Sequence, residues 1–439
     1  MTTTDWPAPE QIRVETLGAA MRPSPLRARG EPFVDDAEGI LLSARLADVA
    51  AGGATPAAFE LAGPRERVFH DPATLGCGII TCGGLCPGLN NVVRSIVLRL
   101  WYAYGVRRIL GFRYGYSGLA PRHNHSPLVL TPDVVEPLHE QGGTRLGTSR
   151  GPQHVDEMID RLIELDIGLL FVLGGDGGLR GAAALHDSIA RRRLPIGVIG
   201  IPKTIDNDLA WTARSFGFAT AVEAACAALK AAHVEARAAW NGIGLVKLMG
   251  RHAGFIAAHA TLASADVNLC LVPEVPFALE GAGGLLDVVE RRLDSKHHAV
   301  VAVAEGAGQE HFAAAAGEHD ASGNLKLQDI GLLLRDRVAA HFAARGTEVA
   351  IRYIDPSYMI RSLPANAIDA QYCLVLGQHA VHAGMSGRTN MLVGSWNGRF
   401  VHVPIPLATA TRRRLDPHGE EWQRVLETTG QPTLSVAPA

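Results

Sequence analysis

Six short polar loops hold most of the residues able to do chemistry. The first, 82–90, reads Cys82-Gly83-Gly84-Leu85-Cys86-Pro87-Gly88-Leu89-Asn90 and leads into a helical stretch. Its glycines let backbone N–H groups come close to an anion at a helix N-terminus. It matches neither the dinucleotide nor the Walker pattern, so alone it is equally a tight turn. The second, Gly174-Gly175-Asp176-Gly177-Gly178, sets one carboxylate among four glycines. That pattern suits phosphates with a Mg²⁺-linked acid. The third, Pro202 to Asp208, places Asp206 and Asp208 beside Lys203 and Thr204. One such Asp could take a proton from a hydroxyl nucleophile.

Met249-Gly250-Arg251 follows an apolar run, and Arg251 suits a phosphoryl group bidentately. Glu305-Gly306 follows another. In the last loop Arg352 and Arg361 bracket Tyr358, a spacing that suits a phosphate dianion. The stretch 143–150 adds Arg145 and Arg150 among small polar residues. Anion-binding turns, a metal-type acid and a candidate base together predict phosphoryl transfer to a phosphorylated substrate, and not hydride transfer.

Loops of this kind need strands to hold them. Ligands of open α/β folds lie at the carboxyl ends of parallel strands. Strands are expected at 78–81, 108–112, 169–173, 195–201, 243–247, 269–273, 299–305 and 349–353. Helices are expected between them, among them 91–104 and the Ala-rich 219–236. The number of strand–helix pairs predicts two Rossmann-like α/β domains with a cleft between them, plus an irregular, proline-rich N-terminal arm. The expected boundaries are an arm at 1–75, a first α/β domain at 76–217 plus 365–400, a second at 218–364 plus 401–425, and a tail at 426–439.

Composition narrows the class. Of 439 residues, 47% are hydrophobic and 19% charged, which suits packed cores and excludes a disordered chain. A net charge of −3 lacks the basic footprint of a general nucleic-acid binder. The longest apolar run, Ile167 to Leu173, is far too short to span a bilayer. Asp5, Glu10 and Glu15 argue against a transit peptide, and the scattered six cysteines against a disulfide framework. The expectation is a cytoplasmic protein with free thiols, no membrane and no nucleic acid.

Taken in order, these loops resemble the phosphofructokinase family, in its long ATP-dependent plant and trypanosomatid branch. The resemblance rests on the turn with Pro87, Gly88 and Asn90, the Gly174–Gly177 loop, Thr204–Asp208, Met249-Gly250-Arg251 and Asp355–Arg361. It extends to Gly63–Arg67 and Leu279–Leu293, and covers about residues 60–425. It implies MgATP and fructose 6-phosphate as substrates. By the same resemblance Asp206 is the base for the sugar 1-hydroxyl, Thr204 and Asp208 lie beside the transferring phosphate, and Asp176 is the Mg²⁺ site. Gly84 and Arg150 contact the moving phosphoryl group, with Gly88, Gly174, Gly175, Gly177 and Gly178 around the donor. Met249, Gly250, Arg251 and Glu305 hold the sugar; Arg352, Tyr358 and Arg361 hold its 6-phosphate. Arg352 is expected from a neighbouring subunit, which implies a homo-oligomer, a tetramer being favoured.

In this family an Asp directly after the metal Asp goes with pyrophosphate, and here that position is Gly177. Lys203 occurs in pyrophosphate enzymes and also in the long ATP branch. Gly178 stands where the family usually has Thr or Ser. The alternatives are a pyrophosphate-dependent enzyme, an ATP-dependent kinase of another sugar phosphate such as sedoheptulose 7-phosphate, and a non-catalytic sugar-phosphate-binding regulatory subunit.

Overall fold

Runs of about six apolar residues, ended by glycine or a polar turn, become strands buried on both faces. The computed structural model describes residues 6–51, 57–151, 153–312 and 326–434. It divides into two units, one of Met1–Thr204, Leu209–Gly217 and Ser362–Arg412, the other of Ile205–Asp208, Phe218–Arg361 and Arg413–Ala439. In chain order the strands of the two main sheets are β1 (Gly39–Leu41), β2 (Ala58–Leu61), β3 (Gly76–Thr81), β4 (Arg108–Gly111), β5 (Leu128–Val129), β6 (Leu169–Gly174) and β7 (Gly197–Pro202). Then come β8 (Gly242–Leu248), β9 (Leu269–Leu271), β10 (His298–Ala304), β11 (Ala350–Ile354), β12 (Met391–Trp396) and β13 (Arg399–Pro404).

The first unit holds a nine-stranded sheet in the order β1-β2-β13-β12-β7-β6-β3-β4-β5. From β12 to β4 the pairing is parallel, and the strands outside that block are antiparallel. Every residue of β3, β6 and β7 is buried. That explains their unbroken apolar runs, since helices cover both faces. Leu170, Val172 and Val198 pack against Leu179, Ala182, Leu185 and Ile189 of the helix Asp176–Arg191. On the opposite face the helix Ala367–Met385 packs on the sheet and on the helix Leu89–Leu98. The contact there is close, because a Cβ on Gly384 would lie 2.7 Å from Leu169 Cδ2. The helix expected over 91–104 stops at Leu98 and widens into a π-helical turn at Arg99–Tyr104.

Two differences from the sequence reading concern the sheet edge. Residues of the arm supply β1 and β2, held to the sheet by a partly buried ionic network. Arg65 donates to Asp36 (2.7 Å) and Glu60 (2.7 Å), and Arg388 donates to Glu60 (2.8 Å). Burial works to raise the Glu60 carboxyl, yet the His402 hydrogen bond and both arginines hold it well below the usual range. Residues 401–412, expected with the second domain, belong to the first unit. The cause is the hairpin of β12 and β13, turned by Asn397 (φ 45°) and Gly398 (φ 76°). Two consecutive left-handed residues make the tight turn that Asn-Gly favours.

The second unit holds four parallel strands in the order β9-β10-β8-β11. The Ala-rich helix Phe218–Ala238 lies close on β8, since a Cβ on Gly244 would meet the Ala232 carbonyl oxygen at 2.7 Å. The other face buries Ile243 and Leu245 against Val289, Leu334 and Val338. The helix Glu420–Thr429 packs on Phe255–Ser264. All six cysteines are free thiols. Among the described residues no helix is long and apolar enough to cross a membrane.

Candidate active site

In the first unit the parallel strands β3, β6 and β7 end side by side, so their loops collect at one sheet edge. The backbone N–H of Cys82 donates to the Leu173 carbonyl (2.8 Å). Thr148 Oγ1 donates to the Gly83 carbonyl (2.6 Å), and Lys203 Nζ to the Gly84 carbonyl (2.8 Å). These bonds bring Gly84, the 143–150 stretch and the Lys203–Thr204 turn together. Arg150 is exposed at the end of that stretch.

The glycines divide by role. A Cβ on Gly88 (φ 99°) would sit 2.6 Å from Cys373 Sγ, so turn geometry and packing alone require glycine there. A Cβ on Gly174 would meet Gly178 Cα at 2.9 Å, and one on Gly175 the Lys203 carbonyl oxygen at 3.1 Å. One on Gly178 would meet Cys82 Cβ at 3.1 Å, and the Gly178 carbonyl accepts from Tyr116 Oη (2.6 Å). Gly177 differs: nothing lies within 4 Å of a Cβ placed on it.

Asp176 is the first residue of its helix, where the helix dipole favours a carboxylate. Arg180 Nε donates to its Oδ1 (2.9 Å), and an Arg412 guanidinium nitrogen to its Oδ2 (3.1 Å). Among the described residues no three His, Cys, Asp or Glu side chains gather into a metal cage. One half-buried carboxylate fits Mg²⁺ that arrives with its waters and phosphate oxygens, which is the usual habit of this ion. Sequence reasoning missed both arginines. The Asp–Arg spacing of four along one helix signals Arg180, whereas nothing local signals Arg412.

Thr204 belongs to the first unit, and its carbonyl accepts from Ser215 Oγ (2.5 Å). Asp206 and Asp208 belong to the second, both half-buried. The Asp208 carbonyl accepts from the Arg413 N–H (2.9 Å).

In the second unit the β8 and β10 ends are laced together beyond the strands. Glu305 N donates to the Leu248 carbonyl (2.8 Å) and Gly306 N to the Gly250 carbonyl (3.1 Å). Met249, Gly250, Arg251 and Glu305 therefore share one edge. Burial pushes the Glu305 carboxyl up, opposed by the charges of Arg251 and Lys247. Lys247 Nζ binds Asp329 (2.6 Å) and Asp355 (2.9 Å). Burial opposes its charge, but the two carboxylates hold its pKa above the ordinary lysine value. Asp355 in turn caps Ser357, from Ser357 Oγ at 2.6 Å, and so orients the short helix that bears Tyr358 and Arg361. The Arg361 guanidinium lies 4.5 Å from the Tyr358 ring centroid. Arg352 stands apart from that helix, within β11, where its exposed side chain pairs with Glu235 at 3.4 Å.

The first unit thus offers a glycine cradle with one acid, the second a lysine-braced loop set with arginines and a carboxyl. The model of the phosphofructokinase family matches residues 76–384. The chain is 50% identical over 438 residues to an ATP-dependent 6-phosphofructokinase of Amycolatopsis methanolica, covering 96% of this chain and 95% of that one. It is 50% identical to one of Borreliella burgdorferi (85% of each chain), and 43% to one of Trypanosoma cruzi (96% of this chain, 88% of that one). Its fold is shared with the pyrophosphate-dependent phosphofructokinase of Marinobacter aquaeolei, at a TM-score of 0.67 and 20% identity over 83% of this chain and 93% of that one. The Pichia pastoris phosphofructokinase shares it too, at a TM-score of 0.62 and 21% identity over 77% of this chain and 35% of that one. By the family match and these relatives, the chain belongs to the phosphofructokinase family.

Proposed function

We propose that the protein is an ATP-dependent 6-phosphofructokinase, turning fructose 6-phosphate and ATP into fructose 1,6-bisphosphate and ADP. A bond forms between the sugar 1-oxygen and the γ-phosphorus, and the bridging oxygen leaves with ADP. Asp206 takes the proton of the 1-hydroxyl. Thr204 and Asp208 flank the transfer, and Arg150 and Arg251 balance the charge spreading over the phosphoryl oxygens. Gly84, Gly174, Gly175 and Gly177 present backbone to the donor, with Gly88 and Gly178 shaping the turns around them. Asp176 would hold Mg²⁺, which draws charge from the β- and γ-phosphates when bound. Met249, Gly250 and Glu305 hold the sugar, and Tyr358 and Arg361 the 6-phosphate.

The observation that carries the choice of donor is the open space at Gly177 directly after Asp176. A nucleotide's α-phosphate can pass a bare backbone there. Lys203 is the one feature favouring pyrophosphate, and its Nζ bonds the Gly84 carbonyl, which bolsters the turn whichever donor is used. A coupled assay comparing ATP with pyrophosphate, on fructose 6-phosphate and sedoheptulose 7-phosphate, tests the reading. Turnover with ATP on fructose 6-phosphate is expected to dominate. Asp206→Asn should lower kcat about 10²–10⁴-fold with little change in sugar KM; a loss of only a few-fold would remove Asp206 as base.

We extend the reading to a cytoplasmic homotetramer in which Arg352, exposed on one subunit, completes a neighbour's 6-phosphate site. Sedimentation velocity under assay conditions checks this, and an active monomer refutes it.

A further inference from the structure

We infer that Arg412 is a positioning residue that sets how readily Asp176 takes a divalent cation. The inference rests on the phosphoryl-transfer reading above. Both oxygens of the Asp176 carboxylate are engaged, Oδ1 by Arg180 at 2.9 Å and Oδ2 by Arg412 at 3.1 Å. A hard cation bound through a carboxylate needs at least one of those oxygens. The two N–H bonds take up two of the carboxylate's four lone pairs, and the guanidinium charges beside them offset its own, so cation binding and this double clamp compete for the same negative charge.

The two arginines are not equivalent. Arg180 lies four residues along the same helix, and its second nitrogen donates to the Thr409 carbonyl at 2.6 Å. Helix geometry and that bond hold it beside Asp176. Arg412 arrives from 236 residues further along the chain and makes the longer contact. Its backbone is bridged to Leu209, so its side chain can leave Asp176 while the main chain stays in place. The side chains of Arg412 and Asp176 are 28% and 23% exposed. A pair so placed is partly desolvated, firm enough to order the carboxylate and weak enough for a cation to displace. Arg412 thus keeps Asp176 aimed and neutralised while no cation is present, and yields Oδ2 when one arrives.

The consequence is measurable without turnover. Mn²⁺ is the probe, titrated against protein with β,γ-imido-ATP and followed by its paramagnetic resonance. Arg412→Met keeps the stem and removes the charge. It should tighten Mn²⁺ binding about fivefold, the size of a modest ion pair, and lower the half-saturating Mg²⁺ in the assay. Arg412→Lys should return the wild-type affinity, and Arg412→Gln is the second neutral variant should Arg412→Met fail to fold. A merely structural role would lower the thermal midpoint without moving Mn²⁺ affinity. Unchanged or weaker Mn²⁺ binding in the neutral variants overturns the proposal, as does Mn²⁺ affinity that is unaltered by Asp176→Asn. Wild-type turnover with ATP on fructose 6-phosphate tests the functional reading separately. If only pyrophosphate turns over, that reading falls, and imidodiphosphate replaces the nucleotide analogue in the same titration with the same outcomes.

Discussion

At the residue scale, Gly178 shows how a local departure can be steric. The resemblance sets it where the family usually has Thr or Ser, and so points to a lost hydrogen bond to a phosphate. The structure adds a different cause: a Cβ would lie 3.1 Å from Cys82 Cβ, in a place where Cys82 is itself buried. Overpacking of that kind costs about 1–3 kcal/mol, enough to outweigh the gain from replacing a helical glycine, about 1 kcal/mol. Gly178→Thr alone should therefore lower the thermal midpoint and leave the ATP KM no better. Paired with Cys82→Gly, the same substitution should cost less stability than it does alone, because contacting sites are not additive. A double-variant cycle on thermal midpoints measures this, and additive losses would refute the packing account.

At the element scale, strand-end loops are held by contacts that only glycine permits. A Cβ on Gly306 would meet the Arg251 carbonyl oxygen at 2.0 Å, against the loop laced to Glu305. Gly306→Ala should push the Met249–Arg251 turn off its register and raise the fructose 6-phosphate KM at least about tenfold, since a misplaced positioning group costs that much or more. The MgATP KM should hold steady; a rise in both would locate the damage elsewhere. The central strands were legible in the sequence, because burial on both faces writes an apolar run such as Leu169–Leu173 between glycine turns. The β12–β13 hairpin has its signal in Asn397-Gly398, but it lies outside the strand–helix alternation that marks the other strands. The placing of Asp176, Asp206 and Arg251 in loops just beyond strand ends was legible, because each follows an apolar run that becomes a strand. Arg412 was not, because an ion pair spanning most of the chain leaves no trace in residue spacing.

At the scale of the whole molecule, buried histidines tie stability to pH. Burial, with the Arg22 charge, lowers His70 to about 4; burial, with the nearby His402 and Arg99, lowers His379 to about 4. His382 and His402 are lowered as well, again chiefly by burial. Above about pH 6.5 these rings are neutral in folded and unfolded chains alike and favour neither. As pH falls from 6.5 toward 4 the unfolded chain takes up protons that the folded one refuses, so stability drops. Each such histidine contributes up to about 1.4 kcal/mol per pH unit in that window. Glu60, held low, adds its own loss once pH passes below its ordinary 4.5. The urea midpoint should fall steadily from pH 7 to pH 5, and His379→Phe should make the fall shallower. A flat profile over that range would show that these rings can be protonated in place.

The strand order of the large sheet also fixes a timetable. β2 finds its neighbour in β13, pairing Leu61 with Val401 and Glu60 with His402, more than 300 residues downstream. At about 5–20 residues per second, a ribosome needs on the order of 15–70 s to deliver that partner. Until then Phe59, fully buried in the finished sheet, has nothing from Trp396 to lean on, and the β1–β2 pair presents a bare edge. The carboxylates of Asp36 and Glu60 meet their Arg388 only in the same late moment, so for most of the chain's synthesis this corner stays charged and wet. The β1–β2 segment is thus sealed only when a strand made more than 300 residues later comes to lie beside it.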